Sequence, residues 1–131
     1  MQTATLTVTT DRRQVLVPIT GAIEDQLRRN GWQDGILTVF VPHTTAGVTI
    51  NENADPDVAR DMIWLMEQLV PNHPDFRHAE GNSDAHIKAS LMGSSVQVIL
   101  RSGSLWLGIW QGIYLAEFDG PRQREVRLAF S

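Results

Sequence analysis

The sequence contains no cysteine, so disulfides, thiolate zinc sites and a cysteine nucleophile are excluded, and any metal would have to be held by His, Asp, Glu or water. A single lysine, Lys88, stands against ten arginines, a bias assigned to genome composition ahead of any need for bidentate anion contacts. There is no basic surplus either. The formal charge of -4 argues against general nucleic-acid binding, which relies on a cationic face. No apolar run approaches the roughly 20 residues of a membrane helix. The opening Met1-Gln2-Thr3-Ala4-Thr5 lacks the basic and apolar segments of a signal peptide, so the expectation is a cytoplasmic protein with no membrane attachment. Internal repeats, glycine-rich phosphate loops and dense acidic metal motifs are all missing. What remains, 131 residues with 42% hydrophobic and 20% charged content, suits one domain over residues 1–131 and is too short for two independent cores.

Alternation in Thr3 to Thr9 predicts a half-buried strand, and Gln14 to Pro18 predicts a second, joined to the first by the short turn at Asp11-Arg12-Arg13 as a hairpin. Thr20 is placed to cap a short helix that carries Ile23 and Leu27 and stops at Gly31. Ile36 to Val41 is nearly all apolar, the pattern of a strand buried on both faces. A second helix follows from Asp55 as cap and Pro56 at the first helical position, with Met62, Leu65, Met66 and Leu69 on one face for the core or a subunit contact and Trp64 off the stripe. Asn72 to Asn82 reads as irregular, and Ser83 or Asp84 as the cap of a third helix ending near Gly93. Val96 to Leu100, Leu105 to Phe118 and Glu125 to Phe130 read as strands, Gly108 and Gly112 within the long one marking bulges or close backbone approach. The class is α+β, with mostly antiparallel, sandwich-like sheet and about three helices.

Three of the four histidines lie in segments dense in small polar residues: His43-Thr44-Thr45, Arg77-His78-Ala79-Glu80-Gly81-Asn82 and Ser83-Asp84-Ala85-His86. Three imidazoles with one open position form a known catalytic zinc arrangement, which makes His43, His78 and His86 candidate metal ligands, although the eight-residue step from His78 to His86 matches no established ligand spacing. The competing reading is that each histidine satisfies a loop or cap hydrogen bond. His73, between Asn72 and Pro74, is assigned to that role. Glu52, in Asn51-Glu52-Asn53 at a strand end, is a candidate base or a partner that orients a histidine. Trp110 is assigned to the core, with Gln111 satisfying a buried backbone group, and Arg122 after the Gly120-Pro121 turn either grips phosphate or pairs with a surface acid.

Five ordered blocks extend this reading. Val41-Pro42-His43-Thr44-Thr45-Ala46, Asn51-Glu52-Asn53-Ala54-Asp55, the run from Gly81 through Asn82 and His86 to Leu91, the run from Gly103 to Trp110-Gln111, and Glu117-Phe118-Asp119-Gly120-Pro121-Arg122 together resemble the YjbQ family across the whole chain. The sequence departs from that family's usual pattern at Ile109, commonly Thr, and at Ser83, commonly Ala, and neither change removes an ionisable group. The resemblance implies a small α+β sandwich assembled as a homotrimer, with a secondary thiamine-phosphate synthase activity that joins a pyrimidine-methyl diphosphate to a thiazole phosphate. It further implies a pocket built from His43, His78 and His86 with Glu52, Asn82, Asp84, Gln111 and Arg122 around it. A divalent metal, zinc ahead of magnesium, together with Arg122 and amides at the Ser83 helix start would then suit the leaving diphosphate. Two other functions stay open: a metal-dependent hydrolase in which Glu52 and the histidines activate water, and a non-catalytic metabolite- or metal-binding module.

Overall fold

The computed structural model describes residues 1–131. Alternating side chains build its core. Along β8 (Gln123–Phe130), Val126 and Leu128 turn inward while Arg127 turns out, and its neighbours β1 (Gln2–Thr9) and β3 (Gly35–Phe40) present Leu6, Leu37 and Val39 to the same side. These strands, with β5 (Ser95–Arg101) and β6 (Ser104–Leu105), form a five-stranded sheet in the order β1-β8-β3-β5-β6. A three-stranded sheet, β2-β7-β4, uses β2 (Val15–Pro18), β7 (Gln111–Glu117) and β4 (Ala46–Glu52). Every pairing is antiparallel. The main core holds residues of both sheets, including Val48, Ile113 and Leu115 of the smaller one, and α1 (Thr20–Asn30) adds Ile23 and Leu27 to it. On the other face of the smaller sheet, Leu16, Tyr114 and Ala116 cluster with Ala85 and Ala89 of α3 (Ser83–Met92), and Met62, Ile63 and Met66 of α2 (Pro56–Leu69) pack against them.

Several local expectations hold. Asp55 caps α2 by accepting from the Asp57 amide at 2.9 Å, with Pro56 at the first helical position, and Gly31 ends α1 at φ 66°. Others are corrected. The first two strands are not a hairpin: β1 pairs with β8 and β2 with β7, so residues 10–14 carry the chain from one sheet to the other. Thr20 does not cap α1; its hydroxyl accepts from the Ile113 amide at 2.9 Å and ties the helix start to β7. Neither Ser83 nor Asp84 caps α3, which starts after Asn82 without a side-chain cap. The strand β3 is buried on one face only, since Ile36 and Phe40 point outward and each is 39% exposed. The long strand expected from Leu105 to Phe118 is two strands in different sheets, broken at 106–110 by a turn in which the Gly108 amide donates to Gln111 Oε1 at 2.8 Å. Gly112 is a place of close approach, where a Cβ would meet the Asn53 side chain at 2.6 Å. Of the α2 stripe, Met62 and Met66 pack inward, whereas Leu65 and Leu69 are exposed beside Trp64. Trp110 is 61% exposed and is no core residue.

A buried ion pair spans the two sheets at one end of the sandwich. Arg124 of β8 donates through Nε to both Glu117 carboxylate oxygens of β7, at 2.9 and 3.1 Å, and through Nη2 to Glu117 Oε2 and to Thr45 Oγ1, the latter at 2.8 Å. The Thr10 hydroxyl and the Asp119 amide donate to the same carboxylate at 2.8 and 3.0 Å. Burial works to raise the Glu117 carboxyl, but these donors and the Arg124 charge outweigh it and hold it below the usual carboxylate range. A depressed folded-state value contributes stability that is present above the unfolded-state value, about 4.5, and is lost as pH falls through the folded-state value. Replacing Glu117 by Gln leaves Arg124 buried without its counter-charge, which should cost about 3–5 kcal/mol. Urea unfolding of Glu117→Gln against wild type should show that loss at pH 7 and a smaller gap in strong acid; equal stabilities at pH 7 would contradict it.

Candidate functional site

His43, from the loop between β3 and β4, and His86, from the first half of α3, line one cleft of about 450 Å³ together with Thr44, Ser90 and Ser94. The cleft floor is where α3 ends against β4. There a Cβ on Gly47 would stand 2.5 Å from the Gly93 carbonyl oxygen, which itself accepts from the Val48 amide at 3.0 Å. Only glycine permits that approach, which draws Gly93 and Ser94 down beside Thr44. The His78 ring meets His86 edge-on with centroids 5.5 Å apart, so the second and third histidine segments do converge. His78 Nε2 also lies 3.8 Å from a Glu80 carboxylate oxygen at the surface.

His43 is held in one protonation state. Its Nε2 accepts a hydrogen bond from the Glu125 backbone amide at 2.8 Å, and an amide can only donate, so this nitrogen must be bare and the neutral ring carries its proton on Nδ1. Burial, then the Arg124 guanidinium, hold His43 below the ordinary histidine value, outweighing the nearby Glu125 and Glu117 carboxylates.

The remaining expected residues divide into three places. Asp84 turns away from the histidines. On the opposite side of α3 its buried carboxylate receives Arg13 in bidentate fashion, 3.1 Å on each oxygen, and Lys88 Nζ at 3.4 Å. Burial opposes ionisation of Asp84, but Arg13 and Lys88 prevail and hold it below the usual carboxylate range. Asn82 donates to Asp119 Oδ2 at 2.8 Å, and Arg122 closes on the same residue, with Nε 2.8 Å from the Asp119 carbonyl oxygen. Arg122 is thus engaged by an acid of its own turn, the surface-pair alternative. Glu52 and Gln111 face one another across β4 and β7, at the end of the sheet away from Ala46 and Glu117. At about 3.4 Å per residue, six steps along β4 separate Glu52 from the histidine end by roughly 20 Å. Gln111 serves the exposed turn at Gly108 rather than a buried group. His73 does what was expected of a loop residue, its Nδ1 accepting from the Asp75 amide at 3.0 Å.

These placements do not fit the three-histidine metal centre, whether for zinc or magnesium. His43 Nε2 is already engaged, Asp84 is neutralised elsewhere, and no three His, Asp or Glu side chains of the chain gather as a ligand set. Arg13, Lys88, Thr44, Ser90 and Ser94 were missed as lining residues by reading the sequence. The signal for one pair was there, since Asp84 and Lys88 at i and i+4 share a helix face, but nothing marked that face as the buried one.

A small two-sheet α+β protein with two of its three helices over the outer face of the smaller sheet and a polar histidine cleft beside α3 is the class defined here. The chain belongs to the YjbQ family: the family model described as UPF0047 protein YjbQ-like matches residues 4–131. It is 52% identical over 118 residues to a UPF0047 protein of Methanocaldococcus jannaschii, covering 90% of this chain and 86% of that one. It is 49% identical over 121 residues to the UPF0047 protein YugU of Bacillus subtilis, covering 92% of each. Among solved structures, an uncharacterised YjbQ/UPF0047 protein of Clostridium acetobutylicum superposes with a TM-score of 0.93 at 49% identity, over 98% of this chain and 99% of that one. A hypothetical protein of Aeropyrum pernix gives 0.94 at 37% identity, over 100% and 98%. No helix is long and apolar enough to cross a membrane.

The hydrogen bond to His43 yields a direct test. Nitrogen-detected NMR of the histidine rings should find His43 as the Nδ1–H tautomer, titrating below the ordinary value of 6.5. Because that value is depressed on folding, the stability it confers is complete above about 6.5 and is lost as pH falls towards the folded-state value. A His43 ring protonated on Nε2 at neutral pH would refute the assignment.

Proposed function

We propose that this chain is an enzyme acting on a small phosphorylated substrate in the His43–His86 cleft, with group transfer of the thiamine-phosphate synthase type as its reaction. The observation that carries the reading is the lining: a neutral, orientation-locked imidazole, a second imidazole and three hydroxyls, with no carboxylate among them to repel an anion. The reaction type comes from the family resemblance. In it the thiazole nitrogen attacks the pyrimidine methylene carbon, a C–N bond forms, and the C–O bond to diphosphate breaks with the electron pair leaving on oxygen. The donors of His43 and the hydroxyls would stabilise charge on the departing diphosphate, and His86 would deliver a proton to it.

The hydrolase reading with Glu52 as base loses support because Glu52 stands at the other end of the sheet. A binding module remains as the second reading, since the same lining would hold a phosphorylated metabolite without breaking a bond. Purified protein supplied with the pyrimidine-methyl diphosphate and the thiazole phosphate should form thiamine phosphate, and His86→Ala should slow it about 100-fold or more. No product from folded protein that still binds either compound would reject the enzyme and favour the module.

The resemblance also implies a homotrimer. Exposed apolar side chains on the outer sheet face, Ile36, Phe40 and Ile99, and on α2, Trp64, Leu65 and Leu69, support burial against other copies. In such an assembly Glu52 and Gln111 would reach a cleft only as contributions from a neighbouring subunit. Light scattering on the eluting protein should give three times the 14.6 kDa chain mass; a monomer at micromolar concentration would dispose of the trimer.

A further inference from the structure

A second cavity, of about 320 Å³, opens between the C-terminal end of α2 and α3, on the side of α3 away from His86. Apart from Pro71 its lining is polar throughout: Arg13, Gln14, Glu67, Asn72, Asp84 and Lys88. Two polar groups of this lining are incompletely bonded. The first is the Lys88 ammonium. Lys88 is 1% exposed, and the side-chain partner it has is Asp84 at 3.4 Å, yet that carboxylate is already spanned by both Arg13 nitrogens at 3.1 Å. Two cations therefore share one buried carboxylate, and an ammonium with three donors spends one of them. Buried charges are ordinarily paired and hydrogen-bonded. Glu67, exposed at the same cavity, attracts Arg13 through space but makes no ion pair with either cation. The second is Gln14, which stands between this cavity and the one under α2 and whose Oε1 is buried without a hydrogen-bond partner. The lining charges balance, Arg13 and Lys88 against Asp84 and Glu67, so what the cavity offers is the unspent donors of a buried ammonium beside an acceptor in need of a proton donor.

We propose that this cavity is a binding site for inorganic hydrogen phosphate, separate from the His43–His86 cleft. A hydrogen phosphate group supplies both missing elements at once: its charged oxygens accept from Lys88 Nζ and Arg13, and its P–OH donates to Gln14 Oε1. Sulfate matches the size and charge but has no proton to donate at neutral pH, so the site discriminates between the two oxyanions.

The test uses the full chain and inorganic phosphate, with sulfate at matched ionic strength as the control. Calorimetric titration and thermal unfolding should show phosphate binding and raising Tm, with sulfate about tenfold weaker, the effect of one lost hydrogen bond at a charged group. Lys88→Met, which keeps the length of the side chain and removes the charge, should abolish the response. Gln14→Leu, which removes an unpartnered buried oxygen and leaves the ion pairs intact, should erase the preference for phosphate over sulfate. His86→Asn, in the other cleft, should leave both responses in place. The site is overturned if phosphate and sulfate act equally on wild type, if Gln14→Leu keeps the full preference, or if His86→Asn removes the response while Gln14→Leu retains it. That last pattern would transfer phosphate binding to the histidine cleft and leave the proposed enzyme standing.

Discussion

The ion pair between Glu117 and Arg124 governs what stands at this end of the molecule. It joins the last residue of β7 in one sheet to the second residue of β8 in the other, and it draws in Thr10 after β1 and Thr45 before β4. Four chain segments are thereby fixed around one carboxylate. A buried pair of this kind is weak evidence for net stability, because desolvation offsets much of the attraction. Its contribution here is register: Arg124 cannot slide along β8 without abandoning Glu117, and Glu125 is therefore held with its amide facing His43 Nε2. The same guanidinium contributes to keeping His43 neutral. The ion pair thus bears on both the placement of the first histidine and, after burial, its protonation state.

The helix α3 transmits this order in two directions. His86 and Ser90 lie four residues apart and face the histidine cleft, while Asp84 and Lys88, also four apart, face Arg13 and the cavity beside α2. Between them Ala85 and Ala89 meet Tyr114 and Phe118, their small side chains letting the helix lie close on the sheet. A helix with polar residues on two sides, one of them buried, shows no apolar stripe, which is why its sequence reveals a helix and its glycine stop but neither its start nor its orientation. Lys88 shows the consequence. Lysine is ordinarily a surface residue, and nothing in its immediate sequence neighbours marks it as one of the largest fully buried side chains of the chain.

The same distinction separates what the sequence made legible from what it did not. Local signals worked where one residue type has one physical use: Gly31 in the left-handed region, Asp55 and Pro56 at a helix start, alternation in β1 and β8. They failed where the partner is distant. The run from Leu105 to Phe118 looks continuous because both sheets want apolar residues, and only the pairing of β6 with β5 and of β7 with β2 and β4 separates its halves. The candidate site behaved likewise. Polar density found the segments of His43, His78 and His86, and the fold does bring two of them to one cleft and the third against its edge. It could not say that Asp84 would be claimed by Arg13, seventy-one positions earlier in the chain, or that Arg122 would close on Asp119.

The separation of Glu52 from the histidines bears on how any joint action could arise. The Tyr114 hydroxyl lies 2.8 Å from both the Glu52 carbonyl oxygen and Asn53 Oδ1, with its one proton to share between them, and Asn53 packs against the bare backbone of Gly112. The Glu52 end of β4 is therefore pinned to β7 as firmly as the Ala46 end, where the ladder continues to Glu117. A strand paired along its whole length does not bend back on itself, and roughly 20 Å of it cannot be closed by side-chain rotation. Motion within one chain will not bring Glu52 and Gln111 to His43. These residues either shape the Gly108–Gln111 turn and the start of α2 for structural reasons, or they serve a site whose other half belongs to another molecule. Trp110 and Ile109 beside Gln111 are exposed, so the surface at this end of the strand is apolar as well as polar.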